Sequence, residues 1–108
     1  MKATHIQKGN TLDYKNNGTS PINLGDVVVF GTKAAVAVDN IAVGATGAIL
    51  TGEVFEVAKD TAEIGVGAKV YYDAASDVAT ATAKDVEIGY AIEAATAAAK
   101  TVKVKFLP

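Results

Sequence analysis

The amino-acid sequence predicts an all-β chain: a small β-barrel or β-sandwich of short antiparallel strands, built from two similar halves with little helix. Short β-branched runs separated by Gly-marked turns are the first observation behind that expectation. The second is the lack of any long stretch with helical apolar periodicity. The third is internal repetition, in which Gly25, Val28, Val36, Ala37 and Gly47 recur 42 positions later as Gly67, Val70, Val78, Ala79 and Gly89. One supersecondary unit used twice at a fixed spacing points to halves that bury their apolar faces together.

Thr11 to Tyr14 alternate in polarity, and Asn16-Asn17-Gly18 then supplies a type I′ turn, so a hairpin is expected near the N-terminus. Pro21 removes a backbone donor, Gly25-Asp26 marks a turn, and Val27 to Phe30 reads as a buried strand. The short connection Gly31-Thr32-Lys33 returns Ala34 to Val38 as its antiparallel partner, closed by Asp39-Asn40. Ile41 to Gly47 is rich in small residues, and Ala48 to Leu50 and Val54 to Val57 follow as strands around Thr51-Gly52. After the polar stretch Lys59 to Val66 the plan repeats. Lys69 to Tyr72 matches Val27 to Phe30, Val78 to Thr82 matches Val36 to Asn40, and Gly89 to Ile92 matches Gly47 to Leu50. Val102 to Phe106 is the last strand. Ala95 to Lys100 has the best helix propensity in the chain but is too short to hold a helix alone, so a loop or a single helical turn is expected. The pattern implies a polar N-terminal arm and hairpin over 1–20 and one β domain over 21–108, with quasi-repeats at 24–58 and 66–108.

At 108 residues the chain has the size of one domain with a modest core. Half of it is hydrophobic, much of that Ala and Val, which suits thin layers that approach closely. With no Cys, disulfides, thiolate nucleophiles and the usual structural zinc sites are excluded. Net charge is −2 and all ten basic residues are Lys, so the Arg forks and basic excess of a nucleic-acid binder are missing. No apolar run approaches the roughly 18 residues of a membrane span, and the first residues lack the apolar core of a signal peptide, so a soluble, unprocessed protein is expected.

Candidate chemistry is sparse. His5 is the single His and cannot form a metal site alone. Asp13, Asp26, Asp39, Asp73, Asp77 and Asp85 stand beside Gly, Asn, Ala or Ser, where an Asp side chain bonds its own turn backbone. Gly44-Ala45-Thr46-Gly47 and Gly65-Val66-Gly67-Ala68-Lys69 read as turns, because Lys69 leads into a strand and lacks the Ser or Thr of a phosphate loop. Lys103 and Lys105 alternate with Val102, Val104 and Phe106, which reads as a Lys-guarded edge strand; a positive stripe for an acidic partner is the second reading. Tyr71 and Tyr72 point to opposite faces of one strand, one of them outward or into a subunit interface. No catalytic, cofactor-binding or metal-binding residue is assigned.

Taken together, Ala3-Thr4-His5, Gly9 to Tyr14, Leu24-Gly25-Asp26-Val27-Val28, Ala37-Val38, Ile41 with Gly44-Ala45-Thr46-Gly47, and Gly67 to Asp73 give the chain a resemblance to a family. It resembles the small phage head proteins described as capsid decoration or cement domains. Ala95 to Lys100 departs from that pattern, which often has a Gly-containing turn before the last strand. The resemblance implies a non-enzymatic virion structural protein that binds the outer surface of a tailed-phage head and stabilises the capsid. It implies the major capsid protein as partner, a homotrimer, no cofactor, no nucleic acid and no membrane. The location implied is the capsid surface of the virion, with the host cytoplasm during assembly. Under this reading the segment Met1 to Asn10 orders against the shell, with Lys2, Thr4, His5, Gln7 and Lys8 as capsid contacts, and Tyr71 and Tyr72 are candidates for a subunit interface. The alternatives are a small β-module binding a sugar or peptide ligand and a hydrolase with a hidden carboxylate pair.

Overall fold

Strands form where β-branched and aromatic residues fall between turns. The structure, a computed structural model, describes residues 1–4 and 10–107, and nine strands lie among them. In chain order they are β1 (Thr11–Lys15), β2 (Val27–Phe30), β3 (Lys33–Ala37), β4 (Thr46–Leu50), β5 (Val54–Ala58), β6 (Lys69–Asp73), β7 (Val78–Thr80), β8 (Val86–Ala91) and β9 (Thr101–Phe106). There is no helix among the described residues. Ala95 to Lys100 is a turn, with Ala99 N–H donating to Thr96 O at 3.1 Å, as expected of an Ala-rich segment too short to sustain helical bonding.

Two antiparallel sheets result, a four-stranded one in the order β1-β4-β3-β2 and a five-stranded one in the order β5-β9-β8-β6-β7. The second curls into a half-barrel. Its edge strands converge where Lys59 and Ala79 form a parallel bridge and Asp60 N–H donates to Ala79 O at 3.0 Å.

The expected N-terminal hairpin does not form. β1 pairs with β4, Thr11 opposite Leu50 and Lys15 opposite Thr46, so Asn16-Asn17-Gly18 opens a loop instead. Asn16 provides the physical reason. It is buried, its Nδ2 donates to Ser20 O at 2.9 Å and Ile41 O at 3.1 Å, and its Oδ1 accepts from Gly18 N–H at 3.0 Å. A side chain so engaged folds the loop back onto a later turn and leaves no tight return.

A finer regularity than the half-domain organises the backbone. Ile22, Ile41, Ile64 and Ala95 each stand directly before a four-residue turn, at 23–26, 42–45, 65–68 and 96–99. Each turn closes by an N–H to O bond from last residue to first: Asp26 to Asn23 (3.0 Å), Ala45 to Ala42 (2.9 Å), Ala68 to Gly65 (3.2 Å) and Ala99 to Thr96 (3.1 Å). The leading residues pair, Ile22 with Ile41 and Ile64 with Ala95, through reciprocal backbone bonds of 2.7 to 2.9 Å. In three turns the third residue is Gly25, Gly44 or Gly67, with φ of 90°, 82° and 77°, the left-handed value that a type II turn requires. The fourth turn has Ala98 there without a positive φ, and so uses a different turn type.

The two halves share these turns and their strand spacing but not their pairing. β4 lies beside β3, whereas its counterpart β8 lies beside β6. β3 separates two cores. Ala34 and Val36 join Val70, Ile88, Val102, Val104 and Phe106 between the sheets, while Ala35 and Ala37 join Val28, Ile41 and Ile49 on the other face. These four residues of β3 are at most 6 % exposed. Phe106 meets Phe55 edge-on, ring centres 5.2 Å apart at 79°, which closes the larger core.

Gly44 and Gly89 test different constraints. A Cβ at Gly44 would meet nothing within 4 Å, so Gly44→Ala should cost only its left-handed backbone, about 1–2 kcal/mol. A Cβ at Gly89 would fall on the carbonyl of Lys105 in β9, so Gly89→Ala should cost more than about 3 kcal/mol or prevent folding. Urea unfolding of both variants checks this, and equal costs would contradict it.

Candidate functional site

The buried polar residues sort into structural roles first. Lys59 follows β5 as Asn16 follows β1, and each ties its loop to the second turn of its own half. Lys59 is 6 % exposed, and its Nζ donates to Asp60 O at 2.8 Å, Thr96 O at 3.0 Å and Ala99 O at 3.3 Å. Three donors therefore meet three carbonyls, which satisfies the ammonium and fixes the turn before β9. Nothing in the sequence pattern singled out Lys59; the one available signal was its alignment with Asn16 after equivalent strands.

Four of the twelve carboxylates accept from backbone N–H groups. Asp26 Oδ2 accepts from Asn23 N–H (2.9 Å), Asp60 Oδ1 from Ala62 N–H (3.1 Å) and Asp73 Oδ1 from Ala75 N–H (3.1 Å). Asp39 Oδ2 accepts from Ala48 N–H across the β3–β4 connection at 3.3 Å. Asp13, expected at a turn, is instead within β1. These are turn bonds of the kind short Asp side chains make. No group of three or more metal-ligating side chains gathers among the described residues.

Asp77 has a φ of 54°, and its Oδ1 accepts from Tyr72 Oη at 2.7 Å across the β6–β7 turn. That hydrogen bond, with burial and the charges of Asp77 and Asp73 behind it, pushes the Tyr72 phenol from 10.0 up to about 12. Tyr71 and Tyr72, the pair predicted for a subunit interface, are both half-buried, and Tyr72 also packs on the larger core.

Lys103 and Lys105 do alternate with buried Val102, Val104 and Phe106, but β9 is not an edge strand. It lies between β5 and β8, so the two Lys decorate the outer face of an interior strand. Lys103 Nζ reaches Glu93 Oε1 at 3.6 Å and Lys69 Nζ reaches Glu87 Oε1 at 3.9 Å, both exposed enough to count for little.

The exposed surface is more distinctive than any cavity. Leu24, Val43 and Val66, the second residues of the three Gly turns, are 65 %, 52 % and 67 % exposed. Between the β2–β3 hairpin and β5 runs an open groove of about 340 Å³ lined by Leu24, Val36, Val38, Phe55 and Val57. Another of about 560 Å³ is lined by Val29, Tyr72, Asp73, Lys84, Asp85 and Val86. Of the predicted capsid contacts, Lys2 and Thr4 are exposed; His5, Gln7 and Lys8 lie outside the described residues.

Turn-bound carboxylates, open grooves and apolar turn tips define a small two-sheet β protein that offers surface to partners. Its family gives that surface a setting. The chain belongs to the phage cement protein family, whose model matches residues 6–106, nearly the whole chain. Comparison with curated proteins and with solved structures gives no match. No helix among the described residues is long and apolar enough to cross a membrane.

The Tyr72 phenol carries a stability prediction. Its folded value lies above the ordinary one, so the Tyr72–Asp77 contribution is complete below about pH 10 and is lost as pH rises through about 12. Ultraviolet titration should show one of the four Tyr ionising late, near pH 12, and Tyr72→Phe should delete that step. A late step that persists in the variant would contradict the assignment.

Proposed function

We propose that the protein is a non-enzymatic virion component that binds the outer surface of a tailed-phage head and stabilises the shell. Its partner under this reading is the major capsid protein, and it acts as a homotrimer. The observation that carries the proposal is the family match across residues 6–106, which brings the coarser role of a capsid-associated phage cement protein. The surface is consistent with it. Turn tips bearing Leu24, Val43 and Val66 give apolar contact points on a body held rigid by two cores.

The N-terminal segment with Lys2, Thr4, His5, Gln7 and Lys8 contacts the shell, and the Tyr71 side of β6 faces a neighbouring subunit. Repetition over many equivalent shell positions, combined with trimerisation, multiplies weak contacts through effective concentration. Assembly takes place in the host cytoplasm and leaves the protein on the capsid surface.

Light scattering on the purified protein, followed by co-sedimentation with expanded heads from the same phage, tests this. A trimer that pellets with heads is the expected result, and a variant lacking residues 1–9 should stay folded and fail to pellet. A monomer that ignores heads would overturn the proposal.

A further inference from the structure

Sheet edges are aggregation hazards that proteins usually guard with charge, proline, bulges or cover. Three of the four edges here are guarded. β1 carries Asp13 and Lys15, and the edges of the five-stranded sheet, β5 and β7, converge at the Lys59–Ala79 bridge. β2 has no such device among the described residues. It reads Val-Val-Val-Phe, with β3 as its one strand partner among them.

The free groups on β2 can be assigned. Ala37 N–H donates to Asp26 O at 2.9 Å, and the register runs from Val27 opposite Val36 to Phe30 opposite Lys33. Hydrogen-bonded and non-bonded pairs alternate in an antiparallel ladder, so 26–37, 28–35 and 30–33 are bonded. The N–H and C=O of Val27 and Val29 therefore face away from β3. Their side chains line grooves shared with the β6–β7 turn.

Those grooves are acidic. Asp26, Asp73, Asp77 and Asp85 line them, with Lys84 as the one basic residue there among the described residues.

We propose that the edge of β2 receives an extended, basic segment of the shell protein, which adds as a further strand through the backbone of Val27 and Val29 while its Lys or Arg side chains meet the flanking carboxylates. The inference rests on the head-binding reading and adds a second contact surface to the N-terminal segment. Backbone pairing supplies affinity, and the acidic walls select the charge of the strand that enters.

The test uses Val29→Pro in the full chain, because the Val29 N–H faces outward and its replacement costs no bond to β3. Co-sedimentation with expanded heads should weaken by at least roughly tenfold with the thermal unfolding midpoint unchanged. Asp85→Lys, which reverses a groove carboxylate and leaves the β2 backbone untouched, should weaken it similarly. If Val29→Pro does not fold, the charge-reversal variant decides alone. Wild-type binding that both variants retain would overturn the inference and leave head binding intact. Wild-type protein that does not pellet would overturn both. Loss of self-association in Val29→Pro with head binding retained would make β2 a contact between copies, and would also overturn it.

Discussion

The structure depends on one close approach, the sandwiching of β3 between two apolar layers. A strand buried on both faces must be apolar on both, and the separation of the layers limits the size of what fits. Ala34, Ala35, Val36 and Ala37 meet that limit. A larger residue at Ala35 or Ala37 would push against Ile41 and Ile49, and one at Ala34 would press on the core that holds Phe106. The same constraint recurs at Gly89, where β8 comes close enough to the Lys105 carbonyl to exclude even a methyl group. Interiors packed this densely transmit displacement, so a body of modest size presents a stiff surface.

Rigidity at the periphery comes from the turns. Four of them are tied in two pairs by the Ile22–Ile41 and Ile64–Ala95 bridges, and two buried polar side chains, Asn16 and Lys59, lock the second member of each pair. Where the Ala98 turn lacks the Gly of the others, it has the Lys59 ammonium bonded to the carbonyls of Thr96 and Ala99. The apolar residues at the Gly turn tips are thus held outward by backbone geometry, and little ordering entropy remains to be lost when a partner covers them.

Much of this was legible in the residues because β signals are local. Val27 to Phe30, the Gly31-Thr32 return and the Lys69 to Tyr72 strand follow from β-branched runs and turn chemistry within a few positions of one another. What was hidden depends on distant partners. The alternation of Lys103 and Lys105 identifies a wet face, but only the pairing of β9 with both β5 and β8 shows that this face belongs to an interior strand. Asn16-Asn17-Gly18 carries a strong hairpin signal that the Ile41 carbonyl overrides from across the fold. The 42-residue repeat concealed the shorter turn motif, because the spacing between paired turns differs in the two halves and the last copy replaces both Ile and Gly with Ala. The acidic walls beside β2 were not legible at all, since Asp26 and Asp77 line one groove, and Asp85 another beside Val29, only through the packing of one sheet on the other.

Under the proposed head-binding role, the protein would contribute the free energy of many identical contacts that an expanded shell otherwise lacks. The most direct measurement is the temperature at which expanded heads break open, with and without saturating protein. The account predicts that decorated heads survive to a higher temperature, by an amount that grows with occupancy. Heads that carry the protein and open at the same temperature as bare ones would contradict it.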